Sequence, residues 1–157
     1  MVKSKKYEKQ LNAALETAAK DLPELCRALL TSVGENDDNL RYHWSRSDNP
    51  WYRGWWQGRK RDSETDILIV FESHFDKSRF ALHIENKVAA DFQPDQPELY
   101  HTRGQDWIGL PKWGNYQSFK TLLIAPAAYL STNTVQAKRF DGELSHEEIS
   151  QFVIDFA

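Results

Sequence analysis

One cysteine, Cys26, is all that the 157 residues hold. A lone cysteine excludes an internal disulfide and a zinc site built on paired thiolates, and it suits a reducing cytoplasm. No apolar run is long enough to span a bilayer, and no signal-peptide pattern opens the chain. Charge of one sign is not in excess: 20 Lys and Arg stand against 23 Asp and Glu, a net of −3. The whole-molecule field therefore does not attract a polyanion, and nucleic-acid binding has to come from a local basic patch. Repeats, low-complexity stretches and an interdomain linker are absent too. What remains is an ordinary globular composition, in a length that suits one domain with a real core.

The most informative stretch is Glu85-Asn86-Lys87. It closes the apolar run Phe80-Ala81-Leu82-His83-Ile84. Residues 66–72 are rich in β-branched and aromatic types and read as a strand; 73–78 can turn; 79–87 read as the return strand. With Asp66 opposite Glu85, Ile67 meets Ile84, Ile69 meets Leu82 and Phe71 meets Phe80, which makes one face wholly apolar. The other face carries Asp66 with Glu85, Leu68 with His83, Val70 with Ala81, and Glu72 with Arg79. A slip of one residue mixes the two faces, so the apolar pattern fixes the parity of pairing. Asp66, Glu85 and Lys87 are then expected on one face at the end of two adjacent strands. Leu68, Val70 and Ala81 imply that this face is partly covered, so the carboxylates sit in a cleft.

Two carboxylates so placed repel, and a hard divalent cation neutralises them. Such an ion lowers the pKa of a bound water and takes a phosphate oxygen. Lys87 can position the water or offset transition-state charge. The bland alternative is a charged trio on a solvated sheet face, with Lys87 pairing the two acids. Glu-x-Lys by itself is too short to choose between these readings.

Elsewhere, Tyr7, Leu11, Ala14, Leu15, Ala18 and Leu22 recur at helical spacing and predict a helix over 5–20. Pro23 restarts it over 24–31, with Asp21 as N-cap. Glu8 and Glu16 on the first helix read as solvated. Residues 34–39 form a polar loop and 40–45 a short strand. Residues 47–63 read as a long irregular segment holding Trp51, Trp55, Trp56 and the run Arg59-Lys60-Arg61. These cations, interleaved with tryptophan, suit a phosphate backbone and stacked bases; equally, the rings anchor the loop and the cations are solvated. A helix over 93–104 tolerates Pro94 and Pro97 only in its first turn, with Gly104 as its stop. On it Gln96, Tyr100 and Arg103 share a face. Residues 107–116 are a loop. Residues 121–125 are a strand buried on both sides, ended by Pro126. Residues 139–142 are a short edge element. Ser145-His146-Glu147-Glu148 is a capping box leading a last helix with the stripe Ile149, Phe152, Val153, Phe156. The fold class expected is α/β, a mixed central sheet flanked by helices.

Asp66, then Glu85-Asn86-Lys87 after a hairpin, then a helix with Gln96-x-x-x-Tyr100 resembles the PD-(D/E)xK nuclease superfamily, in particular its RecB-like branch. The resemblance covers roughly residues 63–156. It implies a restriction-endonuclease-like core forming one nuclease-like domain over 1–157, either whole or the N-terminal part of a longer chain. It further implies that Asp66 and Glu85 ligate Mg²⁺, with Mn²⁺ able to substitute, helped by the main-chain carbonyl of Asn86, and that Lys87 is the catalytic lysine. Gln96 and Tyr100 match the accessory pair. A first-helix acid is often added; Glu8 is the preferred candidate and Glu16 the reserve. Arg59, Lys60, Arg61 and Arg103 are the candidate substrate-binding cations. The proline that often precedes the first acid is replaced by Thr65. The function implied is Mg²⁺-dependent hydrolysis of phosphodiester bonds in nucleic acid, DNA before RNA, in restriction, repair or defence. The alternative is an inactive nuclease-fold module that binds nucleic acid or a protein. A homodimer or larger assembly covering Phe152 and Phe156 is also expected.

Overall fold

The computed structural model describes residues 5–48, 51–56, 59–93 and 95–157, with only the main chain at 5, 51–56 and 59–62. Two helices lead, α1 (Lys5–Asp21) and α2 (Pro23–Ser32). After a loop come β1 (Leu40–Arg46), β2 (Trp51–Trp56), β3 (Arg59–Glu64), β4 (Ile67–Ser73) and β5 (Arg79–Asn86). Then follow α3 (Gln96–Asp106), β6 (Ser118–Ala125), α4 (Ala127–Thr132), α5 (Thr134–Ala137), β7 (Gly142–Ser145) and α6 (His146–Ile149). One five-stranded sheet runs in the order β1-β4-β5-β6-β7, and β2 pairs with β3 in a separate ladder. The first two pairings of the large sheet are antiparallel and the last two parallel. The fold is therefore α/β, with a mixed sheet between helices, as a restriction-endonuclease-like core requires.

The β4–β5 register follows from the alternation of its side chains. Ile67 pairs with Ile84, Ile69 with Leu82, Phe71 with Phe80, and Glu72 with Arg79. Ile67, Ile69, Phe71 and their β5 partners join Leu11, Leu15, Leu25, Leu29 and Leu30 in the core under α1 and α2. On the opposite face Leu68, Val70 and Ala81 pack on Trp107, Trp113 and Tyr116. Both faces are covered, so the polar residues between these apolar ones are forced inside. A parallel return to β6 needs a crossover, and α3 supplies it.

Several boundaries differ from expectation, each for a local reason. Asp21 ends α1; Leu22, whose side chain has no acceptor, is the N-cap of α2, and Pro at N1/N2 leaves one donor fewer to satisfy there. The segment expected to be irregular contains β2 and β3, paired from Trp51 with Glu64 to Trp56 with Arg59. The side chains of Trp51, Trp55 and Trp56 lie outside the described residues, as does Pro94. α3 starts at Gln96, after Asp95 turns through φ 62°. It runs through Gly104 instead of stopping there. A Cβ at this glycine would meet the Phe119 ring, so close packing and not helix termination requires it. Gly104→Ala is expected to cost about 1–3 kcal/mol in a urea melt, as overpacking does; a loss below about 0.5 kcal/mol would contradict that contact.

The edge element lies at β7, after the expected 139–142. The capping box at Ser145 is present, with Ser145 Oγ accepting from Glu148 N. Its helix lasts only one turn. Val153 is extended (φ −131°, ψ 103°), and a 3₁₀ turn over Ile154–Phe156 follows. These two turns still bury Ile149, Val153 and Phe156. Phe156 is covered by its own chain, edge-on to His146 at 5.0 Å, so it does not call for a partner. No helix among the described residues is long and apolar enough to cross a membrane.

Candidate active site

Asp66 immediately precedes β4, and Glu85 lies near the end of β5. The β4–β5 register sets them at the same end of adjacent strands, and both line one cavity. Both are buried, and Lys87 with them. Asp66 Oδ2 accepts from Asn86 N at 2.8 Å. Lys87 Nζ stands 3.6 Å from Glu85 Oε1, donates to the Asp91 carbonyl at 3.1 Å and lies 5.1 Å from the Phe92 ring centre. The predicted trio therefore converges on one face, as the register requires. Tyr100 comes up from α3. Its hydroxyl accepts from Asp66 N at 3.1 Å and donates to the Glu85 carboxylate.

The electrostatics follow from this burial. Loss of hydration, then the charge of Glu85, raises the Asp66 carboxyl well above the ordinary range. Burial raises Glu85 too, opposed by Lys87, Tyr100 and Arg103. Each acid is therefore harder to ionise than a solvated carboxyl, and Lys87 and Arg103 offset part of that for Glu85. Tyr100→Phe would strip the Asp66 amide of its acceptor and Glu85 of a donor. Leaving buried polar groups so exposed costs about 1–3 kcal/mol, readable by urea denaturation; an unchanged midpoint would mean that these contacts carry nothing.

A cavity of 220 Å³ opens over the pair, and Glu8, Glu64, Lys87 and Gln96 contribute to its wall. Glu8 is close enough for its charge to raise Asp66. Glu16 is committed elsewhere, accepting from Ser45 Oγ at 2.5 Å and Ser47 Oγ at 2.6 Å. Of the two first-helix acids, then, Glu8 is the one at the site. Gln96 Oε1 accepts from Gln93 N at 3.1 Å. The Asn86 side chain is engaged by protein groups, donating to Asn12 Oδ1 and meeting His146 Nε2, both at 2.8 Å.

Arg103 is not a free cation. It is 1% exposed, lies 4.4 Å over the Tyr100 ring and grips the segment entering Asp66. Its Nε donates to Thr65 Oγ1 at 2.7 Å, Nη1 to Ser63 Oγ at 2.6 Å and Nη2 to the Glu64 carbonyl at 2.7 Å. The side chains of Arg59, Lys60 and Arg61 lie outside the described residues; their main chain forms β3. Thr65 and His83 join the site without having been singled out as candidates. The signal in the sequence was a histidine inside an apolar strand. A larger groove of 680 Å³ beside α2 and β1 shares no lining residue with the acid pair. Cys26, on its wall, has a thiol raised by burial to about 11, which leaves it unreactive.

Among the described residues no group of three or more His, Cys, Asp or Glu is arranged to hold a metal ion. Zinc, which takes three or four protein ligands, does not fit. Two adjacent carboxylates do suit Mg²⁺, which commonly takes one or two and keeps water in its remaining positions. Comparison with known protein families, with curated proteins and with solved structures finds no match.

Proposed function

We propose that the chain hydrolyses phosphodiester bonds of nucleic acid, DNA in the first place, at the Asp66–Glu85–Lys87 site with a divalent cation. The observation that carries this reading is the pair of buried acids lining one cavity, with an ammonium 3.6 Å from one of them. Burying two acids together costs several kcal/mol unless a cation compensates them. Asp66 and Glu85 would hold Mg²⁺ or Mn²⁺, with the Asn86 main chain beside them. When bound, the ion would supply an acidified water and charge neutralisation at the phosphate.

The chain's own groups do the rest. The Asn86 amide fixes one oxygen of Asp66. Tyr100 orients Glu85, leaving its second oxygen toward Lys87. Lys87, held by Glu85 and the Asp91 carbonyl, presents positive charge where a phosphate gains negative charge. Glu8 and Gln96 border the entry.

A module that binds without cleaving is the second reading, favoured by the lack of a third metal-ready acid among the described residues. Incubation with supercoiled plasmid separates the two. Nicked or linear product in Mg²⁺ and none in EDTA is expected; plasmid intact in both, or cut equally in both, would count against metal-dependent cleavage.

A further inference from the structure

The buried polar groups behind the acid pair form a circuit whose hydrogen directions are determined. The Tyr116 hydroxyl has one proton and donates it to the Gly104 carbonyl at 2.6 Å. Towards His83 Nε2, 2.9 Å away, it can therefore only accept, so that nitrogen carries hydrogen. With hydrogen on Nε2, the neutral tautomer of this buried ring leaves Nδ1 as the acceptor, and the Thr65 hydroxyl 2.9 Å away donates to it. The Thr65 oxygen in turn accepts from Arg103 Nε at 2.7 Å. The circuit leaves α3 at Arg103, passes through the entry to β4 and the middle of β5, and returns to α3 at the adjacent Gly104.

Every donor in this circuit has one acceptor, and the two ends sit on consecutive residues of one helix. Such closure locks α3 against the sheet in one rotation. The same helix carries Tyr100 three residues earlier, on Asp66 N and the Glu85 carboxylate. Thr65 is the residue before Asp66 in the chain. We infer that Thr65, with Arg103 and His83, is a positioning residue of the acid pair: its hydroxyl, donating one way and accepting the other, sets where the Asp66 carboxylate stands. The role in metal binding rests on the nuclease reading; the positioning itself does not.

Thr65→Val keeps the shape and removes the hydroxyl, which opens the circuit on both sides at once. Three readouts apply to the 157-residue chain. In the metal-free ¹⁵N-labelled protein, the Asn86 amide proton, bonded to Asp66 Oδ2, should shift upfield as that bond lengthens. The His83 ring-nitrogen resonances should shift as the ring loses a hydrogen-bond partner. Affinity for Mn²⁺ by calorimetry should fall about tenfold, as it does when groups behind a metal ligand are removed. Thr65→Ser, which restores the hydroxyl, should bring all three back. A folded valine variant with an unmoved Asn86 amide and unchanged His83 nitrogens overturns the inference, and so does a serine variant that behaves like valine. Should the valine variant fail to fold, Tyr116→Phe opens the same circuit at its other end and carries the same expectations. If the wild-type chain binds no Mn²⁺ at all, the nuclease reading fails, while the amide and ring signals still decide the positioning role.

Discussion

Lys87→Met should lower Mg²⁺-dependent plasmid cleavage by about 100-fold or more while leaving Mn²⁺ affinity unchanged or raised. The magnitude is that of removing one group aimed at transition-state charge. The opposite direction for affinity follows from geometry. The Lys87 ammonium lies 3.6 Å from Glu85 Oε1 and competes with a cation for that oxygen. Methionine fills much the same volume beside Phe92 without the charge, so a cavity is not the cause of any change. A lysine that merely neutralised the acids would behave otherwise: its loss would then be compensated by the ion, and cleavage would survive. Equal cleavage by variant and wild type would remove Lys87 from the chemistry.

Asp66→Asn should make the metal-free protein more stable near neutral pH and at the same time abolish both divalent-ion binding and cleavage. The sign can be worked out. Burial and Glu85 raise the Asp66 carboxyl, and burial raises Glu85, so the folded metal-free chain holds a proton that the unfolded chain has released. Where the native state binds more protons, stability falls as pH rises. The pair's contribution is therefore fully present below the ordinary carboxylate values, near 4, and declines as pH climbs through the raised ones. Asparagine still offers an oxygen to the Asn86 amide and removes the like charge. The gap in melting temperature between variant and wild type in EDTA should thus widen from pH 4 towards pH 8. For a chain of this size each kcal/mol corresponds to about 2–4 °C. Mg²⁺ should reverse the order, adding about 2.7 kcal/mol to wild type at a hundred times its dissociation constant and nothing to the variant. A variant less stable than wild type in EDTA at every pH would show that the pair carries no strain.

How far these features could be read from residues alone depended on how local their causes are. The β4–β5 register was legible because side chains alternate in space with period two, and Ile67, Ile69 and Phe71 leave one parity open. That parity also put Asp66, Glu85 and Lys87 together. Arg103 was not legible. A cation on a helix resembles a surface group in any linear pattern, and its partners Ser63, Glu64 and Thr65 are 38 to 40 residues away. The β2–β3 ladder was obscured because Pro50, Gly54 and Gly58 argue for a loop, while the aromatic residues that argue for strand pair across the chain. The last helix was overread. Apolar residues at 149, 152, 153 and 156 meet helical spacing, yet two short turns bury three of them equally well.

The central claim is that Asp66 and Glu85 converge to hold one divalent ion. Anomalous diffraction from crystals soaked in Mn²⁺ tests it most directly. The expected result is one peak bonded at about 2.0–2.4 Å to an oxygen from each carboxylate, absent in Asp66→Asn. Crystals saturated with Mn²⁺ that show no peak there, with both side chains ordered beside the cavity, would contradict it.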